Sequence, residues 1–514
     1  MFRRRTALAA AALVAAGALM LTACTAPTPA PSSTGDADPD ASVAIRLVLE
    51  PGNLDIRETA GAALDQILVD NIYQGLVSRT PEQEIVPGLA SEWSVSDDGL
   101  EYTFTVREGV TFHDGLALTP QDVVWSLQTR KDTAAWRDSA RLANVASIAA
   151  DGQDVTLTLT QPDSSLLWNL TGRAGIILKQ DDTVDYKTAA NGTGPFSLAS
   201  WRQGDSITFT RNDAYWGDKA QVAEVVFDYI PDNQAALNAA LAGEIDALTG
   251  FDANLTEQVE ASGDYEVVLG QSTDKGTLAF NQTSGPLADK RVRQAIRQAI
   301  DHDAFVEALA SGTTLYGPIP ELDPGYEDLS DVAPYDPEAA KALLAEAGEE
   351  DLELTLTIYS GYSTTIPQIL VSNLNDVGIT LEVNQVDFGT WLSDVYTNKN
   401  PDPEPTTYVN DGWDLSFVLH TEARDFENWA NPNYYFAYDN PEVQDLYAQS
   451  LAATDEAEAA ELLAQAARIV SEDAAGDWLY NGASVVALGT NISGMPSINV
   501  NERLNLAELT KSNG

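Results

Sequence analysis

The chain has 514 residues, of which 78 are Asp or Glu and 28 are Lys or Arg, for a formal net charge of −50. Such a charge repels a polyphosphate backbone and excludes sequence-independent nucleic-acid binding. The 44% apolar and 21% charged residues are ordinary globular composition, enough for roughly two to four domain-sized units. One Cys excludes an internal disulfide and a thiolate zinc cluster, and three scattered His (113, 302 and 420) argue against a His-built metal site, so neither metal nor cofactor is expected.

In chain order, Arg3, Arg4 and Arg5 precede an apolar run, Ala7 to Met20, that is short for a bilayer span. It ends in Leu21-Thr22-Ala23-Cys24, which resembles a bacterial lipobox. Residues 1–23 then read as a lipoprotein signal peptide and Cys24 as the lipidation site; the alternative is an ordinary secretory signal. Each buried lipid methylene contributes about 0.8 kcal/mol, so several acyl chains would hold the protein on the membrane. The Pro-, Ser- and Thr-rich stretch up to residue 42 has no aromatic residue and reads as a flexible tether. The expected location is extracytoplasmic, lipid-anchored to the cell membrane on its periplasmic side or outer face.

Beyond the tether, short strands alternate with amphipathic helices. Leu100 to Val106 alternates strictly, placing Leu100, Tyr102, Phe104 and Val106 on one face, and Val155–Leu159, Ile207–Phe209 and Leu352–Ile358 repeat the pattern. Thr119-Pro120 is a helix start, with Thr as N-cap and Pro at the first helical position. The helical period after Leu287 buries Val292, Ala295, Ile296 and Ala299, with Lys290, Arg293 and Arg297 opposite on a solvated face. Asp336-Pro337-Glu338 opens a helix that Gly348 ends. Asn398 to Pro405 reads as a surface loop. The class is mixed α/β.

No enzyme signature is present: no G-x-S-x-G, H-E-x-x-H, C-x-x-C or G-x-x-x-x-G-K-[ST]. Asn191-Gly192-Thr193-Gly194-Pro195-Phe196 is Gly-rich, but the Pro argues against a phosphate loop opening a helix. A carboxylate pair assembled by folding would instead make an extracytoplasmic hydrolase. That is the alternative from another class.

Several segments, in order, carry a resemblance. They are Val69-Asp70-Asn71-Ile72-Tyr73-Gln74-Gly75-Leu76-Val77, Leu89-Ala90-Ser91-Glu92-Trp93 and Arg107-Glu108-Gly109-Val110-Thr111-Phe112-His113-Asp114-Gly115. Further on stand Gly192-Thr193-Gly194-Pro195-Phe196, Arg211-Asn212-Asp213-Ala214-Tyr215-Trp216 and Asp289-Lys290-Arg291-Val292-Arg293-Gln294-Ala295-Ile296. Their order and spacing, from about residue 50 to 480, resemble the family 5 extracellular solute-binding proteins, the peptide- and nickel-type receptors of ABC importers.

The resemblance implies a two-lobed periplasmic-binding-protein-like fold of the cluster C type. The first lobe would comprise 43–272 plus 484–514, with an extra subdomain near 80–190, and the second 273–483. It implies a monomeric receptor that captures a small solute, most simply a short peptide, and hands it to the permease and ATPase subunits of an importer. An oligosaccharide, an opine-like compound or a metal chelate are the other ligands of the same class. His113 in Phe-His-Asp-Gly is expected as a hydrogen-bonded turn residue.

In peptide receptors of this family a Trp-x-x-Asp segment of the second lobe pairs with the ligand's α-ammonium. The matching stretch runs from Leu419 to Trp429. Without gaps, Glu422 falls at the Asp position and Leu419 at the Trp, with Asp425 one short shift away. Arg424 would pair with Asp425 or Glu422, or hold a ligand carboxylate. Thr59, Ala60 and Gly61 match a small-residue stretch that approaches ligand backbone. Trp413, Trp429, Tyr434, Tyr435 and Tyr438 would line a side-chain pocket or form core, and His420 would serve a nickel–chelate reading.

Overall fold

The computed structural model describes residues 37–59, 62–251, 253–283, 285–397, 412–498 and 503–513. The leader, Cys24, most of the tether, Ala60, Gly61 and the Asn398–Pro405 segment lie outside the described residues. Residues 37–42, read as the end of the tether, are tied down: Asp38 N donates to Lys511 O at 2.8 Å, and Ala37 bridges to Ser512. The strand Ser42–Leu47 then follows directly.

Ten strands form one continuous sheet. Its order is Ile379–Val386, Leu352–Tyr359, Leu415–His420, Tyr265–Phe280, Gly476–Gly489, Ala247–Thr249, Ser42–Leu47, Glu224–Tyr229, Ser206–Arg211 and Phe196–Arg202. Strands at both ends include parallel pairs, as crossover helices require, whereas the two central strands are antiparallel. These two, 16 and 14 residues long, belong to both halves of the molecule. At one end Tyr265 packs with Val485 and Ala487; at the other, Leu278 and Phe280 pack with Leu479. Their register breaks between Gln271 and Lys275, where the strands pass from one lobe to the other.

The apolar clusters divide the same way. Val43, Ile45 and Leu47 pack with Phe209, Phe227 and the C-terminal Leu504, Leu506 and Leu509. In the other lobe Leu356, Ile358 and Phe417 pack against Val292, Ala295 and Ile296. A separate antiparallel sheet, in the order Ala90–Val95, Glu101–Val106, Asp154–Leu159, Val145–Asp151, encloses Tyr102, Phe104, Val155 and Leu157 with Val123 and Leu127 of the helix Pro120–Asp132. That helix starts at a capping box between Thr119 and Asp122. The helix Pro337–Ala347 is capped by Asp336 and ended by Gly348 in the left-handed region.

The helix Lys290–Ala299 corrects one expectation. Its apolar face is buried as anticipated, and Lys290 remains exposed beside Asp473. Arg293 and Arg297, expected on the solvated face, are buried. Arg293 donates to the carbonyls of Leu287, Ala288, Asp473 and Ala474; Arg297 donates to Asp477 at 3.2 Å and to Tyr316 O at 3.0 Å. A guanidinium fork can be buried when each donor finds an acceptor, and here the chain at 473–477, the turn at 287–288 and Tyr316 supply them.

The Gly-rich motif also finds its reason. A Cβ on Gly192 would sit 1.8 Å from Ile72 O, and one on Gly194 2.2 Å from Asn71 O. His113 holds the other side, accepting from Gly192 N at Nδ1 (3.3 Å) and donating from Nε2 to Gly194 O (3.2 Å).

Candidate functional site

A cavity of about 230 Å³ lies between the lobes. The first lobe supplies most of its wall. Asp65 projects from the short helix Ala62–Leu68, Arg79 from the end of the strand Val77–Arg79, and Arg141 from the 3-10 turn Ser139–Leu142. Trp168 and Asn169 come from the helix Leu166–Thr171, Arg173 from the next turn, and Arg503 from the C-terminal segment. The second lobe closes the cavity with Thr421, Glu422 and Ala423, which follow the strand Leu415–His420.

Charge dominates this wall. Glu422 pairs with Arg141 across the cleft, and Arg141 also approaches Glu427 at 3.5 Å. Burial pushes the Glu422 carboxyl above the usual glutamate range, although Arg141 pulls it back, and about half of its side-chain surface (56%) stays open. Arg173 donates Nε to Asp65 at 2.8 Å and Nη1 to Thr59 O at 2.5 Å. Arg503 donates Nη2 to Asp70 at 2.9 Å and to Thr171 O at 2.8 Å. Arg79 and Arg424 place their guanidinium carbons over the Trp168 ring, 4.3 and 3.8 Å from its centre. Burial and the neighbouring Arg503 charge push the Arg79 pKa well down from the ordinary arginine value.

The two candidate carboxylates thus have different roles. Glu422 faces the cavity. Asp425 is 4% exposed as a residue and accepts a 3.1 Å ion pair from Lys275 Nζ, which also donates to Glu422 O at 2.7 Å and Thr273 O at 3.3 Å. Lys275 stands where the long strands change register, so the crossing strand supplies Asp425 with its own cation. Pairing satisfies both buried charges and leaves Asp425 little need of a ligand ammonium. Arg424, in the left-handed region at φ 54, stacks on Trp168, and its backbone N–H donates to Asp323 at 2.6 Å.

His420 is buried behind this pair, with Nε2 3.2 Å from the Tyr435 hydroxyl and Nδ1 3.8 Å from Asp425. Burial pushes its pKa down to about 4, so it is neutral at pH 7. Trp413 and Trp429 sit in the second-lobe core rather than on the cavity wall; Trp429 stacks on Phe436 at 4.1 Å. Tyr435 and Tyr438 belong to the same core. Tyr434 borders a neighbouring recess with Tyr396 and Glu427. Among the described residues, Thr59 is tied to the cavity wall by the Arg173 bond to its carbonyl.

Sequence reasoning missed Lys275 and the arginines at 79, 137, 141, 173 and 503. The partners lie up to several hundred residues apart, so no spacing announces them. The available signal was rarity: four Arg of one cavity fall between residues 79 and 173 of a base-poor chain.

Residues 84–428 match the bacterial extracellular solute-binding proteins, family 5 Middle. The chain is 27% identical over 372 residues to the dipeptide-binding protein of Escherichia coli (strain K12), covering 65% of this chain and 69% of that one. It is 26% identical over 422 residues to the glutathione-binding protein GsiB of Pectobacterium atrosepticum, covering 78% and 80%. The periplasmic binding protein DppA of Helicobacter pylori, solved in complex with the peptide STSA, superposes with a TM-score of 0.75 at 23% identity, over 92% of this chain and 98% of that one. That likeness establishes the fold.

Proposed function

We propose that this chain, which belongs to the bacterial extracellular solute-binding proteins of family 5, captures short peptides in its interlobe cavity and delivers them to the permease of an ABC importer. Members of this family are extracytoplasmic and work with ABC permease and ATPase subunits. The observation that carries the peptide reading is the placement of Glu422 on one wall and of several guanidinium groups on the facing wall. A zwitterionic peptide presents an ammonium to the first and a carboxylate to the second. Relatives named for a dipeptide and for glutathione support the same class. Lobe closure would exclude water and strengthen both contacts, and ligand would favour closure through its greater affinity for the closed form. Lipid on Cys24 would keep the receptor at the membrane where the permease resides.

An oligosaccharide is the weaker reading. Sugar sites use aromatic platforms, and among the described residues of the wall Trp168 is the one aromatic, already covered by Arg79 and Arg424. Equilibrium dialysis of the full chain against a mixture of di- to pentapeptides, read by mass spectrometry, tests the proposal. Retention of intact peptides is the expected result. Retention of none, or recovery of cleaved products, would overturn it.

A further inference from the structure

Five arginines line the cavity, and they outnumber the carboxylates on the same wall, Asp65, Asp138 and Glu422, by five to three. This excess sits in a chain whose net charge is −50. Low-dielectric walls focus such a field on whatever enters. Arg141, Arg173 and Arg503 each have a carboxylate partner. Arg79 has no direct ion pair, although Asp70 and Asp323 act on it at longer range: its residue is 8% exposed, its guanidinium rests on Trp168, and it makes no side-chain hydrogen bond among the described residues. Next to it, Arg503 Nε and Nη1 are buried without an acceptor. Arg79 lines the cavity without an acceptor, and a carboxylate in the cavity would supply one. A zwitterionic peptide adds one charge of each sign and leaves the positive excess in place.

We propose that the cleft selects acidic peptides, a side-chain carboxylate of the ligand docking on Arg79 and Arg503 beside Trp168, with Arg79 as the specificity-determining residue. This rests on the peptide reading of the same cavity and adds to it a requirement on ligand charge. Nonpolar-to-acidic discrimination follows because the acidic side chain supplies acceptors that Arg79 lacks. A basic side chain at the same place meets like charge and a second desolvation cost.

Isothermal titration of the full chain with Ala-Ala-Ala, Ala-Glu-Ala, Ala-Lys-Ala and, as a non-peptide probe, glutarate tests this. Ala-Glu-Ala is expected to bind at least about tenfold more tightly than Ala-Ala-Ala, with Ala-Lys-Ala the weakest. Arg79→Gln, its fold checked by circular dichroism, should bring the Glu-to-Ala ratio to within about twofold, whatever its effect on Ala-Ala-Ala affinity itself. If that variant does not fold, Arg79→Lys, which keeps the charge but loses the fork, should narrow the preference. Equal affinity for the three tripeptides, or a preference unchanged in the folded variant, overturns the proposal. Glutarate binding that depends on Arg79, with no tripeptide bound, would support the Arg79 anion subsite and overturn the peptide reading. Binding of none of the four overturns both.

Discussion

His420 shows how one buried residue ties the second lobe to pH. Its folded pKa, about 4, lies below the unfolded value near 6.5 because burial disfavours the imidazolium. The unfolded chain therefore binds the extra proton first as acid is added. The sign is that of a depressed pKa: the stabilisation is complete above about pH 6.5 and is lost as pH falls towards 4. A shift of this size corresponds to about 3 kcal/mol. Urea denaturation between pH 7 and 4 should show the loss, and His420→Gln should flatten that part of the profile; an unchanged profile in the variant would contradict the assignment. Beside it, the Lys275–Asp425 pair explains why a carboxylate that lies near the expected ligand-contact position in the sequence is engaged elsewhere. Nothing in Asp274-Lys275-Gly276 marks a buried cation, because its partner is 150 residues away.

At the scale of elements, the patterns that depend on neighbours in sequence were readable. The alternation from Leu100 to Val106 produces the strand Glu101–Val106, and Thr119-Pro120 produces a capped helix. The burial of Arg293 and Arg297 was not readable, since a helical wheel shows which face is charged but not that the carbonyls of Asp473, Ala474 and Tyr316 lie against it. The Gly192-Thr193-Gly194 run was readable as an unlikely phosphate loop, yet its purpose needed the fold. The chain passes so close to Asn71 and Ile72 that side chains cannot fit. Gly192→Ala should therefore cost about 1–3 kcal/mol, as overpacking does, with the thermal midpoint lowered and the secondary structure retained. A variant as stable as the parent would show that the Ile72 segment yields freely.

At the scale of the whole molecule, two lobes on a shared sheet place Glu422 from one side against arginines from the other. The two-lobed class was legible because many short motifs, each weak alone, occur in a fixed order along the chain. The cavity wall was legible only in part: Glu422 because it falls at the position that the family resemblance pointed to, the arginines not at all, because the charge of a cavity is a property of the assembled surface. Trp413 and Trp429, read as pocket lining or core, are core, since large aromatics near a cleft are drawn inward by the area they bury.

On the reading proposed above, the cleft holds a peptide by its free amino terminus at Glu422. The most direct test is thermal unfolding of the full chain with short peptides whose N-termini are free or acetylated, each for the parent and for Glu422→Gln. A ligand at about a hundred times its dissociation constant adds roughly 2.7 kcal/mol of stability. Free peptides should shift the parent upward, acetylated ones little or not at all, and Glu422→Gln should lose that distinction. Equal shifts with free and acetylated peptides in the parent, or a distinction that survives Glu422→Gln, would contradict it.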